Sequence, residues 1–450
     1  MNSSIWIKIT AMKSPSKISV LLILLATTCL TSRAAVDIYS PDSNHLWNRL
    51  YAALIVREKD GEPLDDLIDA PFWFDTKHLL SGESNTRAVA LLREFVENRD
   101  VLDKMSPLQR AVMQRDLLAV FHWVSGKREK PTDTAEQRSL AEDLVRAIRH
   151  VALTAEEIRA LPDNYTVAAA LPGAFTAFDE AEPTRAFLPK GLLADDGEWL
   201  ALDAPKDRAI TAPVHFNMFR ARSSFELHFR HPGGREAGQK YLAELAAMPN
   251  PLVFEKPADP IPRFGDMEKP WLNPDTPQFP VGTMWALVRR AILVDAQGNL
   301  IASPIVESVE VRVYRAVEYS HLKMDAQTFF EWELSRRLLL GKGGFHRTTP
   351  ADAHFSQFLP TANNSEEDAM TRKPADSLSC VACHNPPGIH SVITRVLNIG
   401  EDPISLDPAR ARTRLPEFRA TTSARLSEAS VNLASKQPNW QLLRRTWGAK

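Results

Sequence analysis

Residues 284–314 constrain the fold more than any other stretch. Met284–Val294 leads into Asp295-Ala-Gln-Gly-Asn299, a glycine-containing turn. Beyond it Val309, Val311 and Val313 alternate with Glu310, Arg312 and Tyr314. Successive side chains of a strand point to opposite faces of a sheet, so period-two alternation marks a strand with one face in a core. Two such runs joined by a tight turn predict a β-hairpin. The chain must therefore contain antiparallel sheet, with a half-buried strand over 309–314.

The flanks carry a different period. From 42 to 161 the pattern is helical: His45–Arg57 repeats apolar residues at three- and four-residue steps. Ser84 is placed to cap a helix over Arg87–Glu97, Ser106-Pro107 to open one over Leu108–Trp123, and Thr134 to cap one ending near His150. Thr154-Ala-Glu-Glu157 fits a capping box. Between 165 and 320 the texture changes. Val214–Arg230 predicts a pair of strands, Gly234–Met248 a helix, and the prolines between Pro249 and Pro280 an extended connection. Asp325–Leu340 reads as a further helix, stopped by Gly341 and Gly343-Gly344. From 345 on, prolines punctuate a mostly irregular chain with one more helix over Thr421–Ser435. The expected class is α+β: a helical domain at 35–165, a β-rich domain with an inserted helix at 166–320, and a C-terminal segment at 321–450.

The 450 residues are 44% hydrophobic and 24% charged, enough to bury a large core and too apolar for wholesale disorder. Residues 1–34 read as a signal peptide. Lys8, Lys13 and Lys17 precede the apolar run Ile18–Leu30, and Ser32-Arg33-Ala34 supplies small residues around a cleavage point. The expected location is the periplasm or another exported compartment. The apolar run is short for a membrane span, and no other stretch is long enough, so the mature chain is expected to have no transmembrane segment. Four of the 54 basic residues and no acid fall in 1–34, which leaves 50 basic against 56 acidic residues in the remainder. No basic tract is present, which argues against a nucleic-acid partner.

The chain has three cysteines, and removal of the signal would take Cys29. The other two sit three apart in Ser379-Cys380-Val381-Ala382-Cys383-His384. Such a pair cannot staple distant segments, so its purpose is local chemistry. C-x-x-C-H is the pattern of covalent haem attachment. Two thiols add across the two haem vinyl groups, the two-residue spacer lets both sulfurs reach one haem edge, and the adjacent His384 can bind iron from one face. A redox disulfide would need the pair to open a helix, which Pro386-Pro387 opposes. A zinc site would need histidines to complete four ligands. A plain structural pair is the remaining alternative.

On Cys380, Cys383 and His384 the segment resembles the c-type cytochromes. The resemblance covers these residues and the export signal only. It implies one covalent haem c with iron, His384 as proximal axial ligand, electron transfer, and an unidentified redox partner protein. It does not extend to the small cytochrome c fold, in which a methionine ligand follows the motif, because no methionine follows Met370 here. The candidates for the distal ligand are therefore upstream: His346 and His354 on the glycine-flanked approach, with Met370 in reserve. His390, six residues past the motif, has barely enough chain to round the haem edge. Arg372 and Arg395 lie near enough to pair with propionates, and Trp271, Trp285 and Trp332 are aromatic candidates for a haem pocket, though core packing is their simpler role. The expected function is one-electron transfer. The alternatives are a haem enzyme using peroxide or oxygen at an open distal face, and a non-enzymatic metal-binding or structural module. No nucleophile elbow, P-loop, zinc-protease motif or dinucleotide fingerprint is present.

Overall fold

The computed structural model describes residues 37–59, 62–64, 66, 79–126, 134–171, 177–203, 222–248, 252–253, 255–258, 260, 271–317, 326–341, 344–347, 384, 388–396 and 420–448. Residues 1–34, read from sequence as a signal peptide, fall outside them. The described residues form eleven α-helices and one seven-stranded sheet, with two minor strand pairs, a mixed α+β fold.

The N-terminal part is helical, as its periodicity requires. Helix α1 (Leu46–Leu54), α2 (Gly82–Glu97), α3 (Pro107–Gly126), α4 (Ala135–His150), α5 (Ala155–Arg159) and α6 (Asn164–Ala169) follow in order. Thr134 caps α4 through the Gln137 amide, and Thr154 and Glu157 form the complete capping box of α5. Each such cap contributes about 1 kcal/mol by satisfying an orphan amide of the first turn. Ser106 opens α3 by accepting from the Gln109 amide. The second helix differs from expectation. It starts after Ser81 and not at a Ser84 cap, because the buried Asn85 amide ties its first turn to the Leu79 carbonyl at 2.8 Å.

Strands β1 (Arg57–Lys59) and β2 (Glu62–Leu64) pair near the helices. The main sheet begins with β3 (Leu200–Leu202) and β4 (Ser223–Arg230), the latter the described part of the expected strand pair. Helix α7 (Arg235–Ala247) follows as expected. In the proline-rich connection β5 (Leu252–Val253) pairs with β6 (Trp271–Leu272). Then come β7 (Met284–Val294) and β8 (Leu300–Tyr314), the hairpin read from sequence.

One expectation is overturned. Residues Gln327–Leu334 are not helix but a strand, β9, paired with β8 on one side and with β10 (Phe345–Arg347) on the other. Thr328, Phe330, Trp332 and Leu334 alternate with Phe329, Glu331 and Glu333. Aromatic and β-branched residues suit a pleated surface, and two neighbouring strands outweigh weak helix propensity. The helix that does form, α8 (Arg336–Gly341), is short and stops at the expected glycine. Further on lie α9 (Ile389–Val396), β11 (Ala420–Thr421), α10 (Ser423–Ser435) and α11 (Pro438–Trp447). Helix α10 matches the reading, whereas α11 was not anticipated.

The full sheet order is β10-β9-β8-β7-β4-β3-β11, antiparallel throughout, so it takes strands from beyond residue 320. One face of β7, β8 and β9 presents Met284, Ala286, Val288, Val309, Val311, Val313, Phe330 and Leu334 to the helical layer. Trp47, Leu92, Phe95, Phe121, Leu144 and Ile148 meet them from the helices, and Trp440, Leu443 and Trp447 of α11 close the same core. Gly298, at φ +86° in the hairpin turn, lets the Trp447 ring approach; an added Cβ would sit 2.9 Å from that ring. Two buried amides splice helices to the sheet. Gln114 of α3 exchanges two bonds of 2.8 Å with the Val294 backbone, and Asn164 of α6 does the same with Val306 at 3.0 and 2.7 Å. No helix among the described residues is long and apolar enough to cross a membrane.

Candidate functional site

The face of the sheet opposite the helical layer carries Trp285, Arg289, Ser308, Glu310, Arg312, Tyr314, Phe329, Glu331 and Glu333 by strand register. The sequence predicts this as the open side of a half-buried strand. Instead Tyr314 and Ser308 are buried, and Glu310 and Arg312 are half-buried. Desolvation pushes the Glu310 carboxyl up to about 7, against the pull of Arg312 and Arg289. Toward one end of this face an aromatic group assembles from β4, α7, β7, β8 and the loop before β7. Phe229 packs on Tyr241 of α7 at 5.6 Å and on Trp285 at 4.9 Å, and Phe279 meets Tyr314 edge-on at 4.7 Å.

Helix α9, which follows the Cys380–His384 motif, docks against that aromatic end. Its first turn is buried: Ile389, His390 and Ser391 have no exposed surface. Three side chains hold it and the end of the motif there. Gln278 accepts from the Ile389 amide at 2.8 Å, and its amide group lies where a Cβ on Gly388 would be, 2.1 Å from the carboxamide oxygen. Gly388 also adopts φ +52°, a left-handed conformation that favours glycine. Gln327 at the start of β9 donates to the His384 carbonyl at 2.7 Å. Tyr314 at the end of β8 lies 2.5 Å from the Ser391 hydroxyl. Burial raises the Tyr314 phenol above its ordinary value, so it stays protonated.

The His384 ring is oriented by the same turn. Its Nδ1 lies 2.9 Å from the Ser391 carbonyl oxygen. A carbonyl only accepts, so Nδ1 is the nitrogen that donates in this contact. A backbone carbonyl on one ring nitrogen is the usual second-shell arrangement of a metal-ligating histidine, because it fixes the tautomer and makes the other nitrogen more basic. The donor set at His384 thus fits a haem iron.

Cys380 and Cys383 lie outside the described residues, as do His354, Met370 and Arg372. His346 sits on β10 opposite Glu333. Gln327, which touches His384, is six residues away along β9, or about 20 Å at strand rise. The structure does not bring His346 to His384. His390 adjoins Ser391, whose carbonyl faces His384 Nδ1, and its side chain is fully buried. Burial lowers its pKa to about 3, which keeps it neutral. Trp285 belongs to the aromatic group, and Trp332 rests on the core with its Nε1 donating to the Phe187 carbonyl at 3.2 Å. His228 pairs with Glu226 at 3.3 Å, and Glu226 with Arg290 at 2.8 Å, under α10. Among the described residues, no group of three or more His, Cys, Asp or Glu side chains is arranged to hold a metal ion.

Sequence reasoning missed Gln278, Gln327, Tyr314 and Ser391. None has a motif; Tyr314 alone had a signal, as the last polar-face position of an alternating strand. No known protein family, curated protein or solved structure matches the chain.

Proposed function

We propose that this chain is an exported monohaem c-type protein that transfers single electrons, with haem c attached at Cys380 and Cys383 and His384 as the proximal iron ligand. The observation that carries the reading is the His384 Nδ1–H to Ser391 carbonyl bond directly after a C-x-x-C motif. When bound, the haem supplies a one-electron ferric–ferrous couple. The chain's residues do the rest. Gln327 and Gln278 anchor the backbone on either side of the motif's end, Ser391 accepts from Nδ1, and Nε2 would be the donor toward iron. The distal ligand is sought first among His354 and Met370, and then at His346, which sits on β10 opposite the far end of β9. Residues 1–34 direct export, to a compartment where c-type haem is attached and an unidentified redox protein is met.

The test is expression in an exporting host with c-type maturation. The mature protein should start at Ala35 or within a residue or two, gain the mass of one haem, and keep it in acidic acetone. The double substitution Cys380→Ala, Cys383→Ala should remove the haem. A low-spin spectrum supports the carrier. A high-spin spectrum with ready carbon monoxide binding favours a haem enzyme with an open distal face. Colourless wild-type protein would overturn the haem reading and leave a metal-binding or structural module.

A further inference from the structure

The hydroxyl of Tyr314 belongs to a run of hydrogen bonds whose direction is fixed at both ends. Arg312 Nη1 lies 3.2 Å from the Tyr314 oxygen, and a guanidinium only donates. The Ser391 hydroxyl lies 2.8 Å from the Gly388 carbonyl, which only accepts. The 2.5 Å contact between Tyr314 and Ser391 could run either way in isolation. With its ends fixed, the arrangement has one consistent solution. Arg312 donates to Tyr314, Tyr314 donates to Ser391 Oγ, and Ser391 donates to Gly388. Every bond points away from a cation, which polarises and strengthens the series. Its last donor, Ser391, is also the residue whose backbone carbonyl accepts from His384 Nδ1.

Packing alone does not explain the phenol. Its ring meets Phe279 edge-on, a contact that phenylalanine would make equally well. The hydroxyl instead reaches across from β8 to a helix that the sheet does not otherwise bond through this residue.

We infer that Tyr314 is a positioning residue for the proximal iron ligand: by holding Ser391 it sets the Nδ1–H contact of His384, and through it the reduction potential of the bound haem. This rests on the function proposed above. A firm Nδ1–H bond gives the imidazole imidazolate character, which favours ferric iron; loosening it favours ferrous iron and moves the potential in the positive direction.

The experiment uses haem-loaded full-length protein. Tyr314→Phe and Ser391→Ala are each expected to shift the ferric–ferrous equilibrium about threefold toward ferrous, about 28 mV at 59 mV per tenfold for one electron. Both should also change the g-values of the ferric spectrum. The double variant should shift no further than the larger single, because the two residues act in series. Tyr165→Phe is the control: its buried hydroxyl donates to the Pro189 carbonyl at 2.5 Å in the core shared with the helical layer. It should lower the melting temperature and leave the potential unchanged. Should Tyr314→Phe fail to fold, Ser391→Ala carries the measurement. An unchanged potential and spectrum in folded, haem-bearing variants overturns the inference and leaves the proposed function standing. Wild-type protein without haem overturns both.

Discussion

Arg336 of α8 and Asp116 of α3 form a two-point ion pair, 2.6 and 3.0 Å, in which neither side chain has any exposed surface. The Tyr39 hydroxyl donates to the same carboxylate at 2.9 Å, and the guanidinium lies 5.1 Å from the Tyr51 ring centroid. A buried pair of this kind adds little against an apolar replacement, but half of it is very costly. Asp116→Ala should lose about 3–5 kcal/mol in urea unfolding. The double variant Asp116→Leu, Arg336→Leu should recover most of that loss. A single-variant loss under about 1 kcal/mol would show that water reaches the pair.

Acid should weaken the docking of α9 through His390. Its folded pKa is about 3, below the unfolded value near 6.5. Between these values the unfolded chain binds a proton that the folded chain refuses, so stability falls as pH falls, by up to about 1.4 kcal/mol per pH unit. His390→Leu should flatten this slope. Unfolding midpoints from pH 7 to 4 decide it, and equal slopes in both proteins would refute it.

Glu310 acts with the opposite sign. Its folded pKa of about 7 exceeds the ordinary 4.5. Its contribution is fully present below pH 4.5 and is lost as pH rises through 7. Glu310→Gln should therefore be more stable than wild type at pH 8, with the gain fading toward pH 4.5. Since the slopes from His390 and Glu310 oppose each other, the two variants must be measured separately. A gain in Glu310→Gln that is constant with pH would rule out titration as its cause.

Gly388→Ala should free the first turn of α9. The left-handed backbone costs a non-glycine residue about 1–2 kcal/mol, and the new Cβ would displace Gln278 from the Ile389 amide. Hydrogen exchange should speed at Ile389 and Ser391 before it does in β7 and β8. Uniform protection across all four would mean that Gln278 moves aside at no cost.

Local rules carried much of the fold. The caps at Thr134 and Thr154, the Ser106-Pro107 start and the hairpin turn at Asp295–Asn299 are decided within a few residues, so they are legible in the sequence. Residues 327–334 were not, because a strand flanked on both sides draws its stability from partners far along the chain, here β8 and β10. The same holds for α11, whose short length becomes stable by inserting Trp440 and Trp447 into a core made by the N-terminal helices and the sheet.

For the candidate site the division is similar. The sequence by itself determined the spacing of Cys380, Cys383 and His384 on which the haem proposal rests, because that spacing is a local property of five residues. Only the tertiary structure decided how His384 is held. Ser391 is seven residues further on, Tyr314 and Gln327 come from two strands of the sheet, and Gln278 comes from the loop before β7. A hydrogen bond has a reach of about 3 Å and a narrow angle. Nothing in the order of residues states which side chains meet within that reach; the register of β8 on β9 does.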